Sequence, residues 1–371
     1  MNAPAPILDS LSAPPTEGIK YAGSKLKLIP HILAMAKKVK AARVLDGFAG
    51  TTRVSQALAQ SGYEVICNDV AVWSEVFGVC YLRAKKRPEE YSGLIDHLNQ
   101  LSPMDGWFTL HYGGDPRSSA EPKRPWQIQN TRKLDAIREE IERLALPWED
   151  KCVALTSLIL ALDQVDSTMG HYASYLREWS PRSYRSLQLK VPSVLNTQQT
   201  HQVERSDIFD LLPRARADLA YYDPPYGSNN EKMPPSRVRY SAYYHPWTSI
   251  CLFDRPPLFG RANRRADSSD AIAAGAFEEF RRDASGESLA VGAIRRLLTE
   301  STAPHIILSY SSGGRATAQE LQDVILSGGR LLETLEIDYR RNVMAGMKWT
   351  NEWLRDADVP NREFLFLIER R

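Results

Sequence analysis

Short apolar runs separated by stretches of helical period mark out the chain. Leu26, Ile29, Ile32 and Leu33 recur at helical spacing, with Ser24 placed to cap that helix. Val44-Leu45 is a brief apolar strand ending at Asp46, and Val54, Ala57 and Leu58 then return to helical spacing. Tyr63-Glu64-Val65-Ile66-Cys67 reads as a second strand, which completes a βαβ pattern. Leu134, Ile137, Ile141 and Leu144 share one side of a helix predicted over 131–144, and Val153, Leu155, Leu158, Ile159 and Leu162 mark a longer one over 148–166. Residues 203–222 return to the sheet and end in the buried strand Leu219-Ala220-Tyr221-Tyr222. Residues 228–275 read as an arginine-rich loop region, and 278–298 as a helix. A further strand is expected over 305–310 and a helix over 316–326, then an antiparallel pair over 332–339 and 363–368. This alternation predicts an α/β, doubly wound sheet, with sites at the carboxyl ends of its strands.

Length and composition narrow the picture. A chain of 371 residues fits about two domains, and 43% hydrophobic residues allow a full core. The expected division is a flexible tail over 1–18, where Pro4, Pro6, Pro14 and Pro15 fall and no signal peptide shows. A catalytic domain follows, from 19–85 and 201–371, with a helical insertion over 86–200. No apolar run approaches the roughly 18 residues of a membrane span. The four cysteines, at 67, 80, 152 and 251, form no C-x-x-C pair, so neither a zinc site nor a disulfide framework is indicated. They read as reduced thiols of a cytoplasmic protein.

The candidate chemistry sits at the end of the strand Leu219-Ala220-Tyr221-Tyr222. Asp223-Pro224-Pro225-Tyr226 puts an acid, two prolines and an aromatic there. A planar exocyclic amine is a poor nucleophile because its lone pair is delocalised into the ring. The Asp223 side chain and the Pro224 carbonyl can each accept one of its N–H groups and localise that pair. Two successive prolines stiffen the turn, and Tyr226 can stack on a base. The competing reading is a Pro-rich turn with a solvated acid.

The second candidate follows the first strand. Asp46-Gly47-Phe48-Ala49-Gly50-Thr51-Thr52 links strand to helix through a turn that a ligand can approach closely. It is neither a dinucleotide fingerprint nor a P-loop. Asn68-Asp69 stands at the end of the second strand, where an acid can bind ribose hydroxyls or merely cap a turn. The basic loop Lys20-Tyr21-Ala22-Gly23-Ser24-Lys25 precedes both, placed to hold the carboxylate end of an amino-acid-like cofactor.

Taken in order, Lys20–Lys25, Asp46–Gly50, Asn68-Asp69 and Asp223–Tyr226 resemble the adenine-specific (N6) DNA methyltransferases of the Dam-like class, of the restriction–modification type. The resemblance covers residues 19–84 and roughly 150–371. Gly170-His171-Tyr172-Ala173-Ser174-Tyr175-Leu176 and Tyr240-Ser241-Ala242-Tyr243-Tyr244-His245 share in it. It implies a Rossmann-like methyltransferase sheet, S-adenosyl-L-methionine as cofactor, and a flipped-out adenine of double-stranded DNA as acceptor. A cognate restriction endonuclease acting separately would fit as partner. By position, Tyr21, Gly23 and Lys25 would lie near the methionine part of the cofactor. Asp46, Phe48, Ala49 and Gly50 would form its turn, and Asp69 would hold the ribose. Asp207 would lie near the cofactor's adenine, or else cap a short helix through Leu211-Leu212. Asp223, Pro224, Pro225 and Tyr226 would be catalytic, with Asp223 ionised at neutral pH. The family often carries a second glycine where Thr52 stands, and a β-branched residue makes a positive φ costly.

A net charge of only +2 means that DNA must be met by local patches. Candidates are Lys85, Lys86 and Arg87, the pair Lys123-Arg124, Arg237 and Arg239, Arg261 with Arg264-Arg265, and Arg340-Arg341. Aromatic residues interleave with one of these patches, so His171, Tyr172, Tyr243, Tyr244 and His245 join the expected DNA-binding set, and Tyr310 the base pocket. The insertion over 86–200 would carry target recognition. N4 of cytosine has the same amine chemistry as N6 of adenine, and Asp223 rather than a serine favours adenine. An RNA or protein-glutamine acceptor, or a regulator without catalysis, are the remaining alternatives. No nuclease constellation of spaced acids and lysine is seen.

Overall fold

The computed structural model describes residues 12–118, 124–176, 178–227, 240–269, 275–338 and 362–371. Its seven-stranded central sheet comprises β1 (Arg43–Asp46), β2 (Glu64–Asn68), β3 (Gln202–Glu204), β4 (Leu219–Tyr222), β5 (His305–Ser311), β6 (Gly329–Asp338) and β7 (Arg362–Arg370), in the order β6-β7-β5-β4-β1-β2-β3. The strands from β5 to β3 run parallel, and β7 is antiparallel to both β5 and β6. The central sheet is thus mostly parallel with helices on both faces, as the alternation of elements predicts.

Successive strand residues enter opposite cores, as the two-residue period of a strand requires. Val44, Val65, Leu219, Tyr221 and Ile307 pack under one layer of helices, which includes Ile29–Ala36, Arg53–Gln60, Val72–Gly78 and Trp148–Gln164. Leu45, Ile66, Ala220, Tyr222 and Leu308 face the other, built from Ile208–Leu211, Leu289–Glu300 and Ala318–Gly328. All seven strands fall within residues 43–68 and 202–370. Helices from 86–200, among them Pro88–Gln100, Ile128–Arg143 and Trp148–Gln164, share the first core with the sheet through Ile95, Leu98, Leu134 and Leu158. Among the described residues, no helix is long and apolar enough to cross a membrane.

The structure departs from the expected elements in four places. The first helix starts only at Ile29, with Pro30 in its first turn and Leu28 at its N-cap, so Ser24 does not cap it. The helix expected over 278–298 forms only from Leu289. Asp283 accepts the Ser285 and Glu287 N–H groups, and Gly286 takes φ +85°, so a side-chain-stabilised turn replaces its first half. The stretch 228–275 is not all loop: Tyr240–Tyr243 and His245–Leu252 are helical, with Trp247 and Ile250 buried. The insertion also holds a helix that charge and proline obscured, Pro88–Gln100, which starts with proline in its first turn and buries Tyr91, Ile95 and Leu98.

Of the tail expected over 1–18, residues 1–11 lie outside the described residues. From Pro15 onward the described part is tied to the first βαβ unit. Arg53 donates to the Thr16 and Gly18 carbonyls, and the Glu17 N–H donates to Gln56.

Candidate active site

Register brings the two candidate motifs together. β1 lies beside β4 with Asp46 opposite Tyr221, and the Gly47 N–H donates to the Tyr221 carbonyl at 3.0 Å. The Gly-containing turn therefore abuts Asp223 at the carboxyl edge, across some 170 residues of chain. A side chain at position 47 would meet the Tyr222 ring at 2.6 Å, so only glycine passes there. Gly50 takes φ +48°, and Thr52 also adopts the left-handed region, at φ +60°. The expected cost of a β-branched residue is thus borne by this turn. The fully buried Thr52 is held there by its N–H to Ala49 and by Gln56 Nε2, which donates to its hydroxyl at 3.1 Å.

Asp69 braces the turn. Its Oδ2 accepts the Gly50 N–H at 2.8 Å, and its Oδ1 accepts the Ala71 N–H at 2.9 Å. Burial raises its carboxyl above the usual range. Each oxygen keeps a further lone pair that a hydroxyl can use. Asn68 adds a second brace: its side chain donates to the Gly47 and Ser206 carbonyls and accepts the Ser206 N–H. Asp46 sits behind the turn. Its Oδ2 accepts the Ser55 hydroxyl at 2.6 Å, its Oδ1 is buried with no hydrogen-bond partner among the described residues, and burial pushes its carboxyl up to about 7.

One cavity of about 560 Å³ joins these parts, within the range of small-molecule sites. Tyr21, Gly23, Lys25, Phe48, Asp69, Asp207 and all of Asp223–Tyr226 line it. Asp46, Ala49 and Gly50 do not, and support its wall from behind. Asp207 does both things weighed for it: it lines the cavity, and it caps the short helix Ile208–Leu211 by accepting the Phe209 N–H at 2.8 Å. Wall residues that the motifs did not single out include Trp73, Ile208, Phe209 and Phe277, and Tyr240 of the second aromatic stretch joins them. Phe277 stacks on Phe209 at 5.6 Å and meets Phe48 edge-on at 5.3 Å, which makes one end of the cavity aromatic.

At the other end, Asp223 is half-buried, yet its Oδ1 is fully covered and has no hydrogen-bond partner among the described residues. Burial raises its carboxyl well above the usual range. Lys25 opposes this, while Asp46, Glu363 and Asp69 add to it. Burial thus works against the ionised form that the sequence reading assigns to Asp223, and Lys25 works for it. A buried acceptor without a donor is costly to keep, so an N–H offered to it is well received.

Tyr226 presents its ring to the cavity and turns its hydroxyl to Glu363 Oε1 at 2.8 Å. The Lys25 ammonium reaches the same oxygen at 2.8 Å and lies 4.6 Å from the Tyr226 ring centre. Glu363 lay unmarked in the sequence, because it is 137 residues from Tyr226 and 338 from Lys25. Tyr310 packs behind Tyr226 at 4.7 Å, where its hydroxyl accepts the Ala316 N–H. It is absent from the cavity wall.

The loop at 20–25 is clamped from the helical layer. The Ala22 N–H donates to the Tyr244 hydroxyl at 2.7 Å, and the Tyr21 ring stacks on Tyr244 at 4.7 Å. Lys20 pairs with Asp166 at 2.9 Å, which Arg182 also holds at 2.8 Å.

The expected DNA-binding residues divide. His171, Tyr172, Tyr243, Tyr244 and His245 are all buried, which corrects their assignment to a DNA-facing surface. His171 stacks on Tyr243 at 4.4 Å, and the His245 ring lies 3.3 Å from the Tyr172 carbonyl. These aromatics form the core that carries Tyr21. Lys85, Lys86 and Arg87 are all exposed; Lys86 pairs with Asp150 at 2.5 Å and Arg87 lies 3.6 Å from Glu90. Arg265 is buried between Asp254 and Asp267 and lines the cavity. Lys123, Arg237, Arg239, Arg340 and Arg341 lie outside the described residues.

Comparison with known proteins bears on this site. The family model described as D12 class N6 adenine-specific DNA methyltransferase matches residues 21–239. The modification methylase StsI of Streptococcus sanguinis is 26% identical over 95% of this chain and 52% of its own length. The type II methyltransferase M.FokI of Planomicrobium okeanokoites is 23% identical over 95% of this chain and 53% of its own. The chain thus spans about half the length of these two relatives. It spans 92% of the type II methyltransferase M.NlaIII of Neisseria lactamica, at 24% identity.

Proposed function

Because the chain belongs to the D12 class N6 adenine-specific DNA methyltransferases, we propose that it methylates N6 of an adenine in a specific sequence of double-stranded DNA, with S-adenosyl-L-methionine as cofactor. One observation carries the reading: Asp69 and Asp223–Tyr226 line the same cavity.

The wall suits that cofactor. Asp69 offers acceptors for ribose hydroxyls, Phe48, Ile208, Phe209 and Asp207 surround a slot for its adenine, and Tyr21 with Gly23 flank its amino-acid end. When bound, it supplies an electrophilic methyl group on a cationic sulfonium. The residues of this chain do the rest. The target adenine must leave the duplex to reach Asp223, at a cost of a few kcal/mol. Stacking on Tyr226 offsets part of that, by roughly 1–3 kcal/mol. Asp223 and the Pro224 carbonyl accept the two amine hydrogens and turn the nitrogen lone pair out of conjugation. As positive charge develops on nitrogen, the Asp223 carboxylate stabilises it and takes the proton. Positioning supplies most of the rate, and the transfer forms no bond to the protein.

In this reading the catalytic domain is 19–85 with 201–371, which hold the whole sheet, and 86–200 is the target-recognition insertion. The exposed Lys85 and Arg87 at its start support DNA contact there. A separate cognate endonuclease fits the type II methylase relatives. The test is expression in a host lacking adenine methylation, followed by sequencing that separates N6-methyladenine from N4-methylcytosine. N6-methyladenine at one recurring sequence is the expected result. Unmodified DNA, or N4-methylcytosine alone, rejects the reading.

A further inference from the structure

Glu363 gathers three donors on one buried oxygen. Its Oε1 accepts from Lys25 Nζ at 2.8 Å, from the Tyr226 hydroxyl at 2.8 Å and from the Ser309 hydroxyl at 3.0 Å. Lys25 and Glu363 are only 8% and 7% exposed, so this is an interior ion pair rather than a surface one. Strand order explains the convergence. β7 brings Glu363 beside β5, which carries Ser309, and β5 neighbours β4, which Asp223 directly follows.

Two consequences follow for the tetrapeptide. The Tyr226 ring cannot swing freely, because its hydroxyl is anchored and the Lys25 ammonium rests over its face at 4.6 Å. Lys25 and Asp223 line the same cavity, and the Lys25 ammonium is held by Glu363 at 2.8 Å. Without its partner, this ammonium would turn to the Asp223 carboxyl and occupy the acceptor that an amine needs. We propose that Glu363 is a positioning residue for methyl transfer: it fixes the stacking face of Tyr226 and holds Lys25 off Asp223. The inference rests on the proposed methyltransferase reading, but it assigns a role to a residue outside the tetrapeptide and the cofactor turn.

The test uses the purified full chain, methyl-labelled S-adenosyl-L-methionine and genomic DNA from a host without adenine methylation. Label transfer by the unaltered protein is the control for the reading itself; if none occurs, that reading fails, whatever Glu363 does. Given transfer, Glu363→Gln is expected to lower kcat at least tenfold, with KM for cofactor and DNA each held within threefold. Tyr226→Phe, which removes only the anchored hydroxyl, is expected to lower kcat at least threefold. The double variant should lose less than the product of the two single effects, because both break one contact. A Glu363→Gln kcat within twofold of the parent overturns the proposal. So do strictly multiplicative effects, or a joint fall of kcat, both affinities and melting temperature, which marks mere fold support. If Glu363→Gln does not accumulate as folded protein, Tyr226→Phe decides alone: a parental kcat there overturns the proposal.

Discussion

Asp69 accepts the Gly50 N–H at 2.8 Å and so ties the end of one strand to the turn that follows its neighbour. The same carboxylate accepts the Ala71 N–H, so it orders the turn and the start of the next helix together. Asp69→Ala strands both donors. A loss of about 1–3 kcal/mol in stability is expected, with cofactor binding weakened at least tenfold, about 1.4 kcal/mol. Denaturant titration and calorimetric binding check the two effects. Unchanged affinity would remove Asp69 from the ribose site.

Thr52 sits at φ +60°, a conformation costing a β-branched residue about 1–2 kcal/mol. Thr52→Gly relieves that strain but loses the bond from Gln56 Nε2. Thr52→Val keeps the strain and loses the same bond. The glycine variant is therefore expected to be the more stable of the two by about 1–2 kcal/mol. Equilibrium unfolding of both variants measures the difference, and equal stabilities would contradict the strain argument.

Much of the sheet was legible because its strands, buried on both faces, read as plain apolar runs between turn signals. Val44-Leu45, Val65-Ile66 and Leu219–Tyr222 all sit where their pattern put them. The cofactor turn and the tetrapeptide were legible for another reason: each is a local cluster of unusual backbone and chemistry. What pattern could not give was convergence from afar. Glu363 resembles any strand-end acid until β7 is laid beside β5. The aromatics Tyr172, Tyr243 and Tyr244 suggested a nucleic-acid surface, because an aromatic-rich stretch near arginines looks the same whether its rings point out or in. Here they point in and support Tyr21. Asp223 was read as an ordinary acid because its neighbours Asp46, Asp69 and Glu363 come from three other elements.

Buried acids contribute one part of the pH dependence of stability. Burial raises Asp46 from an ordinary 3.8 to about 7 and Asp163 to about 6. For such groups the folded state holds more protons than the unfolded one between the two pKa values, so stability falls as pH rises through that window. Asp46 alone contributes a change on the order of a few kcal/mol between pH 4 and 7. The buried His171 and His245, lowered to about 4 and about 3, act with the opposite sign as pH rises toward 6.5. The acid's contribution is therefore read against a variant: Asp46→Asn should gain melting temperature relative to the parent from pH 5.5 to 7.5. Thermal scans across this range provide the check. A difference between the two that stays constant with pH would contradict the raised carboxyl of Asp46.

Asp223 is asked to accept an amine hydrogen with a buried oxygen that has no partner among the described residues. Asp223→Ala removes that acceptor together with the charge that forms opposite it. A fall in methyl transfer of at least about 10²–10³-fold is expected, as for the loss of one preorganised electrostatic partner, while cofactor affinity stays within about threefold, under 1 kcal/mol. The variant should also be no less stable than the parent above neutral pH, since it deletes a carboxyl whose ionisation burial opposes. Activity of the parent has its own sign. The carboxyl is raised by burial and by Asp46, Glu363 and Asp69, against Lys25, so the ionised form needed for catalysis is lost as pH falls through that raised value. Single-turnover rates should therefore climb as pH rises through that raised value, above the ordinary carboxylate range. A flat profile, or near-parental turnover by Asp223→Ala, would leave the amine to be activated by some other group.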